Sequence, residues 1–327
     1  MDPARHRVVL RSGEELDYTH LLITTGGRNR KLDVPGADLE SIHQLRTVAE
    51  SDAIKADAKN GAHAVVVGMG FIGCELAASL RQLGVSVTAV MPGDAPLGSV
   101  LGSEPGDLYA AIHRDEGVEL IARDQVVRFE GQRRVERALT KSGRSIDCDF
   151  AVVAVGIQPN VEFLEGSGVE VDNGVLVDAM CRTNVPDIFA AGDVANHLHP
   201  LFGRIRVEHY NNAERHGRAA ARSILRGNEE YAYLHTFWSD QYSHKLEYAG
   251  HVRKWDRFVV RGSLEDRKLV GFYLVAGVLR AAVGLDRGGD PELEPDSEMA
   301  KTARLIARAA RPSPQDLMDE DKDLALL

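Results

Sequence analysis

Residues 62–75 read Ala-His-Ala-Val-Val-Val-Gly-Met-Gly-Phe-Ile-Gly-Cys-Glu, and they decide the fold. Val65, Val66 and Val67 form a short β-branched run, the mark of a buried strand. Gly68, Gly70 and Gly73 follow at G-x-G-x-x-G spacing, and an apolar-periodic helix is expected over residues 72–83. A strand that turns through such glycines into a helix is the setting in which the spacing signals dinucleotide binding. Gly68 permits the tight turn, Gly70 has no side chain to hold a pyrophosphate away, and Gly73 lets the helix pack closely on the strand. The free N–H groups at the helix start then face the phosphates.

Outward from this stretch, the periodicity predicts strands at 86–90, 118–120, 125–130, 133–140 and 150–155, with helices at 48–59 and 107–116. Strands alternating with helices of these lengths imply a doubly wound parallel sheet, an α/β fold. Residues 5–24 read as two strands around Ser12-Gly13, RHRVVL and YTHLLIT. A strand at 175–177, the apolar run Ile188-Phe189-Ala190 and a helix at 211–225 with Asn211 or Asn212 as N-cap come later. From residue 236 the pattern changes to short strands at hairpin spacing, then a helix near 297–310 and an acidic tail expected to be loosely held.

The composition bounds the function. The chain has 327 residues, a net charge of −10 and 44% hydrophobic residues, enough for two or three domains with real cores. An acidic balance gives no support to nucleic-acid binding, which needs a basic face. No run of about 18 apolar residues occurs, so no membrane span is expected. The N-terminus is neither a signal nor a transit peptide, and a cytoplasmic location is the expectation. Cys74, Cys148 and Cys181 lie far apart with no C-x-x-C, which argues against a disulfide framework or a redox dithiol. No metal-ligand spacing and no Ser-His-Asp grouping stands out.

Several residues carry two readings. Glu75 is either an acid favoured by the helix N-terminus or a group at the nicotinamide end of the site. Phe71 is either core or a ring that covers a flavin face. Gly192-Asp193 is either an ordinary turn after a strand or a carboxylate that accepts from a ligand hydroxyl. His209 by itself reads as structural, and Trp238 by itself reads as core. Met91 stands where an acid at the end of the second strand would hold the NAD ribose, so the choice between NADH and NADPH is not legible; Asp94 is the nearest acid.

The ordered set LLITTGG, HQLRT, VVVGMGFIGCE, AVGIQPN, FAAGDVA, RVEHYNNA and FWSDQY, continued by GFYL, AAVGLDRGGDPE and DEDKDL, covers nearly the whole chain. In that order it resembles the FAD-dependent pyridine-nucleotide reductases, and more narrowly the ferredoxin reductases that serve bacterial P450 and dioxygenase systems. RVEH brings it especially near the apoptosis-inducing factor flavoproteins. The resemblance implies a Rossmann-like flavoprotein with two dinucleotide-binding domains and a C-terminal α+β reductase domain. Residues 1–46 and 156–235 would form part of the FAD domain, 47–155 the NAD(P) domain and 236–327 the reductase domain.

It also implies site roles. Gly68, Gly70, Ile72 and Gly73 would hold the NAD(P) pyrophosphate, and Phe71 would stack near flavin and nicotinamide. Glu75 and Glu208 would meet the nicotinamide end, with Gly156 lining the same pocket. Thr25, Gly26, Arg46, Gly192 and Asp193 would belong to the FAD site, and His209, Tyr210 and Trp238 would approach the isoalloxazine. The implied partner is a ferredoxin- or rubredoxin-like electron carrier, with homodimer formation as a further expectation. Family members begin with another strand–GxGxxG–helix unit for the ADP half of FAD, and it carries a lysine beside the flavin. The expectation is that this unit, roughly 80–90 residues by the usual size of such a half-domain, is missing ahead of Met1 through a misassigned start or a truncation. The alternatives are a flavin-free nucleotide-binding remnant and an NAD(P)H oxidase without a protein acceptor, similar to apoptosis-inducing factor.

Overall fold

In the computed structural model, which describes residues 1–327, the strand His63–Val67 lies at the centre of a five-stranded parallel sheet. The order across it is Ile42–His43, Phe150–Val153, His63–Val67, Ser86–Val90, Val118–Ile121. Val67 pairs with Val90 on one side and Val153 on the other, so the C-terminal ends of three strands are level at the glycine turn. Continuous valine and alanine runs suit such strands because both faces are covered.

One face carries helix Phe71–Gln82. The other packs against a three-stranded antiparallel sheet, Val126–Glu130, Arg137–Thr140 and Ser145–Asp147, through Phe129, Ala138 and Ile146 against Val65, Val67, Ala151 and Val153. Helix Val48–Asp57 starts on a capping box, in which Thr47 and Glu50 satisfy each other's backbone N–H groups.

Residues on either side of this unit form smaller sheets. Leu21–Ile23 pairs parallel with Ile188–Ala190, and Gly27–Asn29 pairs antiparallel with Ile157–Pro159. Val175–Val177, Ala195–His199 and Gly203–Ile205 form a third sheet. Helix Tyr210–Ile224 packs against the Gly192–Val194 turn. Residues 236–285 build a five-stranded antiparallel sheet in the order Thr236–Gln241, His244–Gly250, Val278–Leu285, Lys268–Val275, Arg257–Ser263, covered by helix Glu298–Ala307.

The largest core is shared. Leu76, Leu80 and Tyr109 of the parallel-sheet unit pack in one cluster with Phe237, Tyr248, Leu269 and Tyr273 of the C-terminal sheet. Helix Phe71–Gln82 is therefore buried between two sheets, one of them from another part of the chain.

Several sequence expectations are corrected. The N-terminal hairpin joins Arg7–Val9 to Glu15–Asp17, not to residues 18–24; Leu21–Ile23 leaves for its parallel partner. The helix expected at 107–116 begins at Ser103, after a short turn Gly98–Leu101. Pro105 falls in its first turn, where a missing N–H has no intrahelical acceptor to lose. Helix Tyr210–Ile224 has His209 as its N-cap, which places Asn211 and Asn212 inside the first turn. The antiparallel strands at 195–199 and 203–205 have no clear signal in the sequence. The tail is not loose: Leu317 and Leu324 are buried, and the nearly buried Arg261 donates to the carbonyls of Leu317, Asp319, Glu320 and Lys322. An arginine with five donors ties down a polar segment that hydropathy alone does not place.

Candidate functional site

The glycine turn is built by contact between backbones. Gly68 has φ +95°, and a Cβ there would lie 2.4 Å from the Ala154 carbonyl oxygen. A Cβ on Gly73 would lie 2.0 Å from the Gly68 carbonyl oxygen. Neither position accepts a side chain. Gly70 is different, because nothing lies within 4 Å of its missing Cβ. It is the N-cap of helix Phe71–Gln82 and offers no side-chain cap. The first N–H groups of a helix have no intrahelical acceptor, so they point into that open space. Such a cradle suits a pyrophosphate.

A cleft of ≈ 470 Å³ opens at the same place. The sequence-predicted residues Gly70, Phe71, Ile72, Glu75, Gly156, Glu208, His209 and Trp238 all line it. They come from widely separated segments: the glycine helix, the turn after Phe150–Val153, the approach to helix Tyr210–Ile224, and the first C-terminal strand. The Phe71 ring stands edge-on to Phe237, with centroids 5.0 Å apart, and Phe237 stacks on His209 at 4.1 Å and on Tyr248 at 4.7 Å. Burial lowers the His209 pKa to about 4, so its ring is neutral at pH 7. Trp238 is 48% exposed and lines the cleft, which corrects its reading as core.

Two carboxylates face this space. Burial pushes the Glu75 carboxyl upward; a 2.7 Å hydrogen bond from the Ser239 hydroxyl pulls it back, and nearby Asp240 pushes it up again. Glu208 pairs with Arg206 at 2.6 Å. The Arg206 side chain is only 8% exposed and its Nε has no protein partner, while Nη1 donates to the Asp193 carbonyl at 3.1 Å. A buried guanidinium with a spare donor fits a ligand oxygen.

A second group gathers beside the cleft. Arg46 Nη2 donates to Asp193 Oδ2 at 3.0 Å. Gly26 lies under that guanidinium, and Thr25 donates to the Asn160 carbonyl at 2.7 Å while Asn160 Nδ2 donates back to the Thr25 carbonyl at 2.9 Å. Gly192, at φ +78°, donates its N–H to the buried His216 Nδ1 at 3.3 Å. Thr25, Gly26, Arg46 and Asp193 are thus neighbours despite lying up to 168 positions apart in sequence number, and the polar, glycine-lined arrangement suits the phosphate and hydroxyl groups of a second nucleotide.

Other predicted residues fall elsewhere. Gly68 and Gly73 sit behind the cleft as its support. Tyr210 is 75% exposed and is not among the cleft-lining residues. Met91 is buried, and Asp94 pairs with Arg123. Sequence reasoning missed Arg206, Asn160, Phe237, Ser239, His235, Tyr248 and His251. The one available signal was strand alternation in FWSDQY, which sends Phe237, Ser239 and Gln241 to the same face.

The family model described as pyridine nucleotide-disulphide oxidoreductase matches residues 1–217, and the model described as reductase C-terminal matches residues 236–327. The chain is 34% identical to rhodocoxin reductase of Rhodococcus erythropolis over 329 residues, covering 100% of this chain and 75% of that one. It is 36% identical over 318 residues to the anthranilate 1,2-dioxygenase system ferredoxin–NAD(+) reductase component of Burkholderia cepacia, covering 96% and 76%. Among solved structures, the ferredoxin reductase for the CYP199A2 system from Rhodopseudomonas palustris superimposes with a TM-score of 0.92 at 31% identity, covering 100% of this chain and 79% of that one. The chain thus spans about three quarters of the length of these relatives. The chain belongs to the pyridine nucleotide-disulphide oxidoreductase family, with a reductase C-terminal domain.

Proposed function

We propose that this protein is an FAD-dependent NAD(P)H oxidoreductase that passes electrons to a ferredoxin- or rubredoxin-like carrier of a P450 or dioxygenase system. The observation that carries the reading is the convergence of Gly70, Phe71, Glu75, Gly156, Glu208, His209 and Trp238 on one cleft at the end of the glycine turn. FAD, when bound, accepts a hydride from the nicotinamide and gives its electrons up singly, chemistry that no side chain supplies.

The chain's own residues bind, orient and exclude water. The backbone N–H groups at Gly70 and Ile72 hold the NAD(P) pyrophosphate, while Gly68 and Gly73 shape the turn that presents them. Thr25, Gly26, Arg46, Gly192 and Asp193 hold FAD, with Arg46 keeping the Asp193 carboxylate oriented. Phe71, His209 and Trp238 supply flat apolar surface for two ring systems, Tyr210 stands at the margin, and Gly156 leaves room beside them. Glu75 and Glu208 accept from the nicotinamide amide. Holding two reactants face to face in a dry cleft is itself a large part of the rate. We assign residues 1–46 and 156–235 to the FAD side, 47–155 to the NAD(P) side and 236–327 to the reductase domain. We assign it to the cytoplasm, a reading that the three free buried cysteines support.

The experiment is a stopped-flow measurement of flavin reduction by NADH and by NADPH in the FAD-loaded protein, with Phe71→Ala and Glu75→Ala alongside. Both variants are expected to slow reduction about tenfold or more; unchanged rates in both refute these roles. Cytochrome c reduction is expected to depend on an added ferredoxin, and an equal rate without any carrier overturns the acceptor assignment.

A further inference from the structure

Glu75 is the first member of a buried hydrogen-bonded chain that crosses three times between the nucleotide-binding unit and the C-terminal sheet. Ser239 Oγ donates to Glu75 Oε1 at 2.7 Å, and Gln241 Nε2 donates to Ser239 Oγ at 3.1 Å. Gln241 Oε1 lies 3.1 Å from His113 Nε2, and His113 Nδ1 lies 3.0 Å from the Tyr242 hydroxyl. Ser239, Gln241 and His113 are almost wholly buried.

With Glu75 ionised, the chain has one proton arrangement that satisfies every member. An ionised Glu75 only accepts, so the Ser239 hydroxyl must donate to it. The Ser239 lone pair then receives the Gln241 amide N–H, and the Gln241 carbonyl is left to accept from His113 Nε2–H. His113 Nδ1 accepts in turn from the Tyr242 hydroxyl. This requires a neutral imidazole, and burial lowers the His113 pKa to about 4. Four donors aligned in one direction polarise one another toward Glu75.

The register is built in. Phe71 and Glu75 are four residues apart on a helix, a rise of about 6 Å. Phe237 and Ser239 are two residues apart on a strand, about 6.6 Å. The two spacings match, so Phe237 meets Phe71 where Ser239 meets Glu75. Gln241, the next residue on that face, reaches His113 on the neighbouring helix Ser103–Asp115.

We propose that Ser239, backed by Gln241, His113 and Tyr242, is a positioning residue that holds Glu75 as an oriented anion, with Oε2 left to accept from the primary amide of a reduced nicotinamide. The proposal rests on the reading that Glu75 faces the nicotinamide. It makes the C-terminal domain a determinant of nicotinamide affinity, although none of these four side chains belongs to the glycine motif.

The test is a binding titration with two probes, using whichever of the NADH or NADPH series the protein prefers. One is the tetrahydro form of the dinucleotide, which cannot give up a hydride. The other is the matching ADP-ribose, which has no nicotinamide. Ser239→Ala is expected to weaken the tetrahydro probe about tenfold and Gln241→Leu about threefold, with the ADP-ribose constant unchanged in both. Ser239→Thr, which keeps the hydroxyl, is expected to recover most of the loss. Equal weakening of both probes in Ser239→Ala means a merely structural role and overturns the proposal. So does an unchanged tetrahydro constant in Ser239→Ala when Glu75→Gln weakens that probe. If Glu75→Gln leaves the tetrahydro constant unchanged, the reading of Glu75 itself fails, and the proposal with it.

Discussion

Two strand ends in this molecule make the same local move with different means. The Val65–Val67 run turns through Gly68 at φ +95° into a helix; Ile188–Ala190 turns through Gly192 at φ +78° into a short helical turn. The first strand is central in a five-stranded sheet, and the second belongs to a parallel pair. At the first turn the close contacts are backbone on backbone, Gly68 against Ala154 and Gly73 against Gly68. At the second the nearest atom to a Cβ on Gly192 is the Ala213 Cβ at 3.7 Å, and the site is assembled from side chains far off in sequence: His216, Arg46 and Arg206. A site made by backbone geometry carries its own signature in a dozen residues. A site made by imported side chains has none until the chain has folded.

Acid is the strongest way to separate the two ends. Burial lowers the pKa of His113, His209, His216 and His251 to about 4, below the value of about 6.5 for an exposed histidine. Between those values the unfolded chain binds more protons than the folded one. The stability these neutral rings allow is therefore fully present above about pH 6.5 and falls as the pH drops toward 4. Each such group contributes roughly 1.4 kcal/mol per pH unit within that window. Urea midpoints measured from pH 7 to pH 4 are expected to fall steadily. Because His216 accepts from the Gly192 N–H, hydrogen exchange at Gly192 should gain an acid-dependent opening that Gly68, bonded to the Val90 carbonyl at 2.9 Å, lacks. Parallel behaviour at the two amides would break the comparison.

Alanine substitution tests the same contrast at neutral pH. Gly73→Ala sets a Cβ against a carbonyl oxygen that cannot move without the strand, and a loss of about 3 kcal/mol or more is expected. Gly192→Ala meets no close atom and pays only for its positive φ, about 1–2 kcal/mol. Chemical denaturation of both proteins reads the difference, and equal losses would erase it.

Gly70→Ala has the smallest effect on stability and sharpens the functional side. With nothing within 4 Å, the change should leave the unfolding midpoint within about 0.5 kcal/mol. The added methyl fills the space assigned to the pyrophosphate, so dinucleotide affinity is expected to fall about tenfold, ~1.4 kcal/mol. An unchanged affinity by calorimetry would remove Gly70 from that role.

The residues of 62–75 by themselves determined the strand, the glycine turn, the helix and the open cradle at Gly70, because period, turn and cradle are all properties of contiguous backbone. The hairpin-spaced strands after residue 236 were legible for the same reason. Tertiary structure alone decided that Leu21–Ile23 pairs with Ile188–Ala190, because a parallel partner leaves no local turn signal. It alone seated the acidic tail on Arg261, brought Arg46 to Asp193, and turned Trp238 toward the cleft. It alone laid Ser239 on Glu75, a contact across 164 positions that depends on the match between a helix rise and a strand rise. Side chains that meet only after folding leave their chemistry in the sequence as residue types; which of them touch is settled by packing.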